Sequence, residues 1–277
     1  MPPMILKTWH DDTIRQIQTH LESDSDVVAA ALFGSSRNDT PLRDEWSDID
    51  VVVVVGTDKM TKYYPTLDWV SVFGEIFAVE QSTGPVASVT RCCFRDGRKI
   101  DFLFSTRTAI ESNENHAQLP WRDGSRVLFA RTEDLRAQFE KTSPSLPPPL
   151  INEDEFEKMT QVFRFKGLAA IGKIGRNDLL IALHLILEMM QDCCVLGLIL
   201  RDRSEGSNCH RTGGIANIYA RELQPIHFEC SSGSLLDEIE RLLPIYDSLA
   251  LKWDAEYGAD SAPLLNAIKK ARKTISK

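Results

Sequence analysis

The sequence is short of the features that mark a nucleic-acid binder, a secreted scaffold or a membrane protein. Its 277 residues carry 32 Lys and Arg against 40 Asp and Glu, a formal net charge of −8. Sequence-independent binding to nucleic acid leans on clustered bases, so this chain is not expected to bind DNA or RNA. The acidic balance favours a cationic partner instead. The 6 cysteines fall as the adjacent pairs Cys92–Cys93 and Cys193–Cys194, with Cys209 and Cys230 apart. No Cys-x-x-Cys spacing is present, which argues against zinc, and the length argues against a disulfide scaffold. The start, MPPMILKTWHDD, lacks the basic opening and long apolar run of a secretory signal, so the expected location is the cytoplasm, with reduced thiols. The most apolar stretch, Leu179 to Leu200, is long enough to span a bilayer. His184, Glu188, Gln191 and Asp192 interrupt it, each costly in lipid, so it is expected as a buried helix with no membrane partner. There is no internal repeat, and a 43% hydrophobic, 26% charged composition excludes a disordered or low-complexity chain.

What is present divides at TSPSLPPPL, Thr142 to Leu150, whose prolines break any helix or central strand. The expected organisation is an N-terminal domain over 1–141, a proline-rich linker over 142–150 and a helical domain over 151–277. Before the seam, Asp12 to Glu22 has helical spacing, and Val27 to Phe33 and Ile49 to Val55 read as strands. Val86 to Phe94 and Lys99 to Phe104 flank Arg95-Asp96-Gly97-Arg98, whose Asp-Gly is a strong hairpin signal. A helix near Leu67 to Phe73 and strands near Glu75 to Val79 and Val127 to Ala130 complete the outline. After the seam Glu153 to Ile171, Leu179 to Leu200, Ile215 to Leu223, Leu235 to Leu242 and Leu264 to Ile275 suit helices, with Asn177 a candidate cap. The fold class is α+β: a mixed sheet with flanking helices, followed by a helical bundle.

The informative segment is Leu32-Phe33-Gly34-Ser35-Ser36-Arg37, followed by Asp48-Ile49-Asp50 opening the strand to Val55. A glycine at a strand end lets the backbone approach a ligand, and Ser35 and Ser36 add hydroxyl donors, a combination that suits a phosphate. Asp48 and Asp50 are two apart, so on an extended chain both carboxylates leave from one face. Paired carboxylates repel, and a hard divalent cation relieves that repulsion; Mg²⁺ is commonly held by one or two carboxylates plus substrate phosphates. Asp101 opens the apolar strand Asp101-Phe102-Leu103-Phe104. If that strand neighbours Ile49 to Val55, three carboxylates converge beside the phosphate loop.

In this order of motifs, Gly34, Ser35, Asp48, Asp50 and Asp101, the sequence resembles the nucleotidyltransferase superfamily that includes DNA polymerase beta. It looks closest to aminoglycoside 6-adenylyltransferases, the streptomycin-modifying group. Phe73-Gly74, Phe94 to Asp101, Lys166-Gly167-Leu168-Ala169 and Arg176-Asn177-Asp178 are similar to that group's pattern.

The resemblance implies transfer of AMP from ATP to a hydroxyl of a small, cationic acceptor, with release of pyrophosphate. It implies Asp48 and Asp50 as Mg²⁺ ligands, one ion on the triphosphate and a second nearer the attacking oxygen. Asp101 is then the general base, a ligand of the second ion, or both. Gly34 and Ser35 would cradle phosphates; Ser36, Arg37 and Lys166 are further candidates for the nucleotide. Asp178, His184 and Glu188 are candidates for the acceptor, although an acid at Asp178 also suits a helix start and the His184–Asp192 stripe also suits a solvent face. Glu80 is a candidate for the site's rim, and Trp46 for the nucleotide pocket. A lincosamide acceptor fits the same framework, and a non-catalytic nucleotide-binding module is the alternative from another class.

Overall fold

A run of valines from Val51 to Val55 dictates the centre of the first unit, because β-branched side chains suit a strand buried on both faces. The computed structural model describes residues 9–37, 45–84, 86–111, 119, 121, 124–142, 151–206, 217–223 and 229–275. Two compact units emerge, Met1–Leu146 and Pro147–Lys277. Their boundary falls within the proline-rich stretch, of which 143–150 lie outside the described residues.

In the first unit the elements run α1 (Trp9–Ser23), β1 (Val27–Phe33), a 3₁₀ turn (Gly34–Arg37), β2 (Ile49–Val55), α2 (Met60–Tyr63) and a 3₁₀ segment (Asp68–Phe73). They continue through β3 (Ile76–Thr83), β4 (Ser88–Phe94), β5 (Lys99–Thr106), α3 (Arg107–Glu111), β6 (Arg126–Ala130) and α4 (Glu133–Glu140). The six strands form one sheet in the order β3-β4-β5-β2-β1-β6. β2 and β5 run parallel and the other neighbours antiparallel, which makes the sheet mixed.

Alternation along β2 and β5 sends side chains to two cores. Ile49, Val51, Val53, Ile100, Phe102 and Phe104 pack with Ile14, Ile17 and Leu21 of α1 and with Val70 and Phe73. Val52, Val54 and Leu103 face the other way, against Ile110, Trp121, Leu135 and Phe139. Asp50 and Asp101 have the parity of this second face.

The Asp-Gly signal marks a real hairpin. Gly97 holds φ +88°, its N–H donates to Phe94 O at 3.0 Å, and Asp96 Oδ1 accepts from Arg98 N at 3.1 Å. Arg98 then reaches Phe73 O at 2.6 Å and Thr13 Oγ1 at 3.1 Å, tying the turn to α1 and the 3₁₀ segment. Several boundaries differ from the sequence expectation: α1 is longer at both ends, and β5 continues to Thr106 rather than Phe104. β3 runs on to Thr83 and β4 begins only at Ser88, because register pairs those two residues at the hairpin's end.

The second unit is helical: α5 (Glu153–Ile174), α6 (Leu179–Glu205), α7 (Asn217–Leu223), α8 (Ser232–Trp253) and α9 (Ala262–Ile275). α5 opens on a capping box between Asn152 and Glu155. Asn177 is not a cap: it takes φ +58°, a left-handed conformation that asparagine tolerates, and Asp178 occupies the N-cap position of α6 without a side-chain cap bond. α8 continues beyond Leu242, where the expected helix stopped, and through Pro244, because Leu243, Tyr246, Leu249 and Ala250 are all buried.

α6 is long and apolar enough to cross a membrane, by length and composition alone. It is not the buried helix expected from the sequence, since only 28% of its most apolar stretch is buried. Ala182, Ile186, Met189, Cys193, Leu196 and Leu200 line its buried side, while Leu180, Leu187 and Leu198 are exposed. The cysteines among the described residues, Cys92, Cys93, Cys193, Cys194 and Cys230, are free.

Candidate active site

Parallel pairing of β2 with β5 sets Asp50 directly opposite Asp101, and Asp48 stands two residues before Asp50 on the same extended approach. Oxygens of Asp48, Asp50 and Asp101 all lie within 4.8 Å of one another, and each residue is half-buried. Burial is the largest influence on Asp101, followed by the Asp48 charge; against the pull of Arg91 they push its carboxyl from 3.8 up to about 6. Three hard oxygen donors so close match a divalent cation of the Mg²⁺ kind. Among the described residues no other group of His, Cys, Asp and Glu converges in this way.

The turn after β1 is built around this cluster. Gly34 takes φ +61°, and a Cβ there would stand 2.3 Å from Asp50 Oδ2. Glycine is therefore required twice, by conformation and by space. Ser36 is fully buried, and its hydroxyl donates to Asp48 O at 2.9 Å. The sequence expectation that this hydroxyl meets phosphate is corrected here: it is spent inside the fold, holding Asp48. His10, also fully buried, donates from Nε2 to Ser47 O at 2.8 Å. Consecutive carbonyls at 47 and 48 are thus gripped from α1 and from the 3₁₀ turn.

On the other side of Asp101 stands a residue that sequence reasoning did not single out. Arg91 Nε donates to Asp101 Oδ2 at 3.1 Å and Nη1 to Glu80 Oε2 at 3.1 Å. Register explains it: Arg91 is opposite Asp101 across β4 and β5, and Glu80 opposite Arg91 across β3 and β4. Counting outward from the Asp96-Gly97 turn would have found the pair.

Residues 9–199 match the family model described as Streptomycin adenylyltransferase. The chain belongs to that family. It is therefore a nucleotidyltransferase enzyme, which removes the non-catalytic alternative. The chain is also similar to an aminoglycoside 6-adenyltransferase from Bacillus subtilis, at 11% identity over 97% of this chain and 99% of that one, with a TM-score of 0.39. A nucleotidyltransferase-like protein from Exiguobacterium sibiricum is similar at 10% identity over 87% and 76%, with a TM-score of 0.31. Among curated proteins none matches.

The remaining candidates of this adenylyltransferase sit as follows. Ser35 is half-buried in the 3₁₀ turn, and the Arg37 guanidinium lies against Gly124. Trp46 is 78% exposed and lines a cavity of about 540 Å³ with Trp9, Ser47 and Arg98. The cavity's other walls come from α1 and the β4–β5 turn. In the second unit Lys166 Nζ is 2.7 Å from Asp192 Oδ2 and 3.8 Å from Glu188 Oε2. His184 Nε2 stands 3.3 Å from Glu188 Oε1, and Lys173 pairs with Asp178 at 3.2 Å. The polar stripe of α6 is accordingly divided: His184 is 68% exposed and Gln191 is exposed as on a solvent face. Glu188 and Asp192 instead form an ion-paired seam with Lys166 of α5. Burial raises Asp192 above the usual carboxylate range despite Lys166.

Proposed function

We propose that this chain transfers AMP from ATP to a hydroxyl of a streptomycin-type aminoglycoside, releasing pyrophosphate, with Mg²⁺ held by Asp48 and Asp50. The observation that supports it best is the convergence of Asp48, Asp50 and Asp101 within 4.8 Å, beside a glycine turn that leaves no room for a side chain. Bound divalent cations would supply charge neutralisation for the triphosphate and for the departing pyrophosphate. The chain's own groups do the rest. Gly34 and Ser35 present backbone and hydroxyl donors to the phosphates. Asp101, with a carboxyl near pH 6 in affinity for a proton, takes the proton from the acceptor hydroxyl as its oxygen attacks the α-phosphorus. Asp101 can also contribute an oxygen to a second ion. Because the transfer is dominated by positioning and charge stabilisation, few groups are needed.

The N-terminal unit is the catalytic part in this reading, and the helical unit binds the acceptor through Asp178, His184 and Glu188. Arg37 is assigned to the nucleotide. A polycationic acceptor fits an acidic chain, whose net charge is −8. The enzyme is read as cytoplasmic, where ATP and reduced thiols are available, with no nucleic-acid or membrane partner.

The test is pyrophosphate release with Mg-ATP across streptomycin, kanamycin and lincomycin, with product masses. AMP on streptomycin supports the reading. AMP on lincomycin alone replaces the acceptor and keeps the chemistry. Release with none of them removes the antibiotic assignment.

A further inference from the structure

One row of side chains crosses four strands on the carboxylate face: Glu80 on β3, Arg91 on β4, Asp101 on β5 and Asp50 on β2, each opposite the next in register. The alternation acid, base, acid, acid is unusual in that one base serves two acids. We propose that Arg91 is a counter-charge that occupies Asp101 in place of a divalent cation, and that Glu80 is the seat to which Arg91 withdraws when a cation enters. The proposal rests on the reading of Asp48, Asp50 and Asp101 as a cation site.

The geometry carries it in three steps. Arg91 divides its planar fork, Nε to Asp101 Oδ2 at 3.1 Å and Nη1 to Glu80 Oε2 at 3.1 Å. A guanidinium presents several donors in fixed directions, so it can release one carboxylate while keeping the other. Next, the two pairs are unequal. The Asp101 side chain is 18% exposed and that of Glu80 68%, so the inner pair is shielded from water while the outer one is screened and weak. Arg91 is thereby held inward, over the oxygen that a cation would also use. Finally, a cation bound through that oxygen meets the guanidinium as a like charge. Glu80 allows the arginine to turn away along the row without losing all its partners. The empty cluster is spared part of its mutual repulsion, and the cation pays for entry by displacing Arg91.

The arrangement makes opposite predictions for its two outer members. Mn²⁺ alone, followed by its electron paramagnetic resonance signal without nucleotide, reports the affinity of the site in the full chain. Arg91→Met should bind Mn²⁺ about tenfold more tightly than the parent, because nothing then competes for Asp101. Glu80→Gln should bind about threefold more weakly, because Arg91 loses its outer seat. Both effects should vanish when built on Asp101→Asn. That background separates a latch on Asp101 from the general field of a nearby charge, which would persist at Asp48 and Asp50. Glu80 lies on the sheet's outermost strand and is exposed, so its variant tests the idea even if Arg91→Met fails to fold. Unchanged or weaker binding in Arg91→Met, unchanged or tighter binding in Glu80→Gln, or either effect surviving in full on Asp101→Asn, overturns the proposal. If Asp48→Asn and Asp50→Asn lose Mn²⁺ while Arg91→Met and Glu80→Gln do not differ from the parent, the latch alone is wrong. If none of the aspartate variants changes Mn²⁺ binding, the cation site falls and the latch with it.

Discussion

Gly34 and Asp50 are packed so closely that a side chain on the first would displace the second. The missing Cβ would lie 2.3 Å from Asp50 Oδ2, and the backbone of Gly34 sits at φ +61°. The turn and the carboxylate therefore constrain each other, and neither can change alone.

Gly34→Ala tests that constraint. The left-handed backbone alone costs roughly 1–2 kcal/mol with a Cβ present, and the clash moves Asp50 or opens the turn. Displacement of this order is expected to lower turnover at least about a hundredfold. Circular dichroism should show the sheet retained. Turnover within a few-fold of the parent would mean that Asp50 can shift without consequence.

Ser36→Ala removes the donor to Asp48 O inside the fold. Leaving that buried carbonyl unpartnered should destabilise the chain by about 1–2 kcal/mol, seen as a lower unfolding midpoint in urea. A drop in turnover with an unchanged midpoint would instead return Ser36 to direct contact with substrate.

Asp101→Asn should stabilise the chain in chelator at neutral and alkaline pH. Burial, reinforced by Asp48, raises the folded carboxyl to about 6 from 3.8. Between those values the folded state binds more proton than the unfolded state, so stability falls as pH rises and the penalty is complete above about 6. The asparagine avoids it, for a gain on the order of 2 kcal/mol at pH 8 that disappears near pH 4. Melting temperatures at the two pH values check the sign; a variant less stable at pH 8 would show Asp101 to be held by more than it costs.

Which parts of this structure were legible beforehand follows a physical line. β2 was found residue for residue because a β-branched run between turn signals has few other fates, and β1 because a short apolar run ends at Gly34-Ser35-Ser36. Asp101 stood out because an acid opens an otherwise apolar strand. Asn177 was misassigned because asparagine serves both as a helix cap and as a left-handed residue, and the chain alone does not choose. The α6 stripe was ambiguous because its partner, Lys166, comes from another helix, so no periodicity within α6 reports it. Arg91 went unread and Ser36 was given to the nucleotide for a related reason: their roles come from register and burial, which are tertiary facts.

The second unit offers an independent test of packing. Glu238 is 3% exposed and paired with Arg241, which also donates from Nη1 to Leu223 O at 2.6 Å. Arg241→Ala leaves a buried carboxylate uncompensated and should cost about 3–5 kcal/mol, while Glu238→Leu combined with Arg241→Met should recover most of it. Equal loss in the single and double variants would show that the ion pair itself, rather than its completeness, holds α8.

The most direct measurement is the mass of streptomycin after incubation with Mg-ATP and either the parent chain or Asp101→Asn. The expected result is a gain of one AMP with the parent and none with the variant, whose binding of Mg-ATP persists. Unmodified streptomycin with the parent contradicts the acceptor, and adenylylated streptomycin from Asp101→Asn at the parental rate contradicts the role of the third carboxylate.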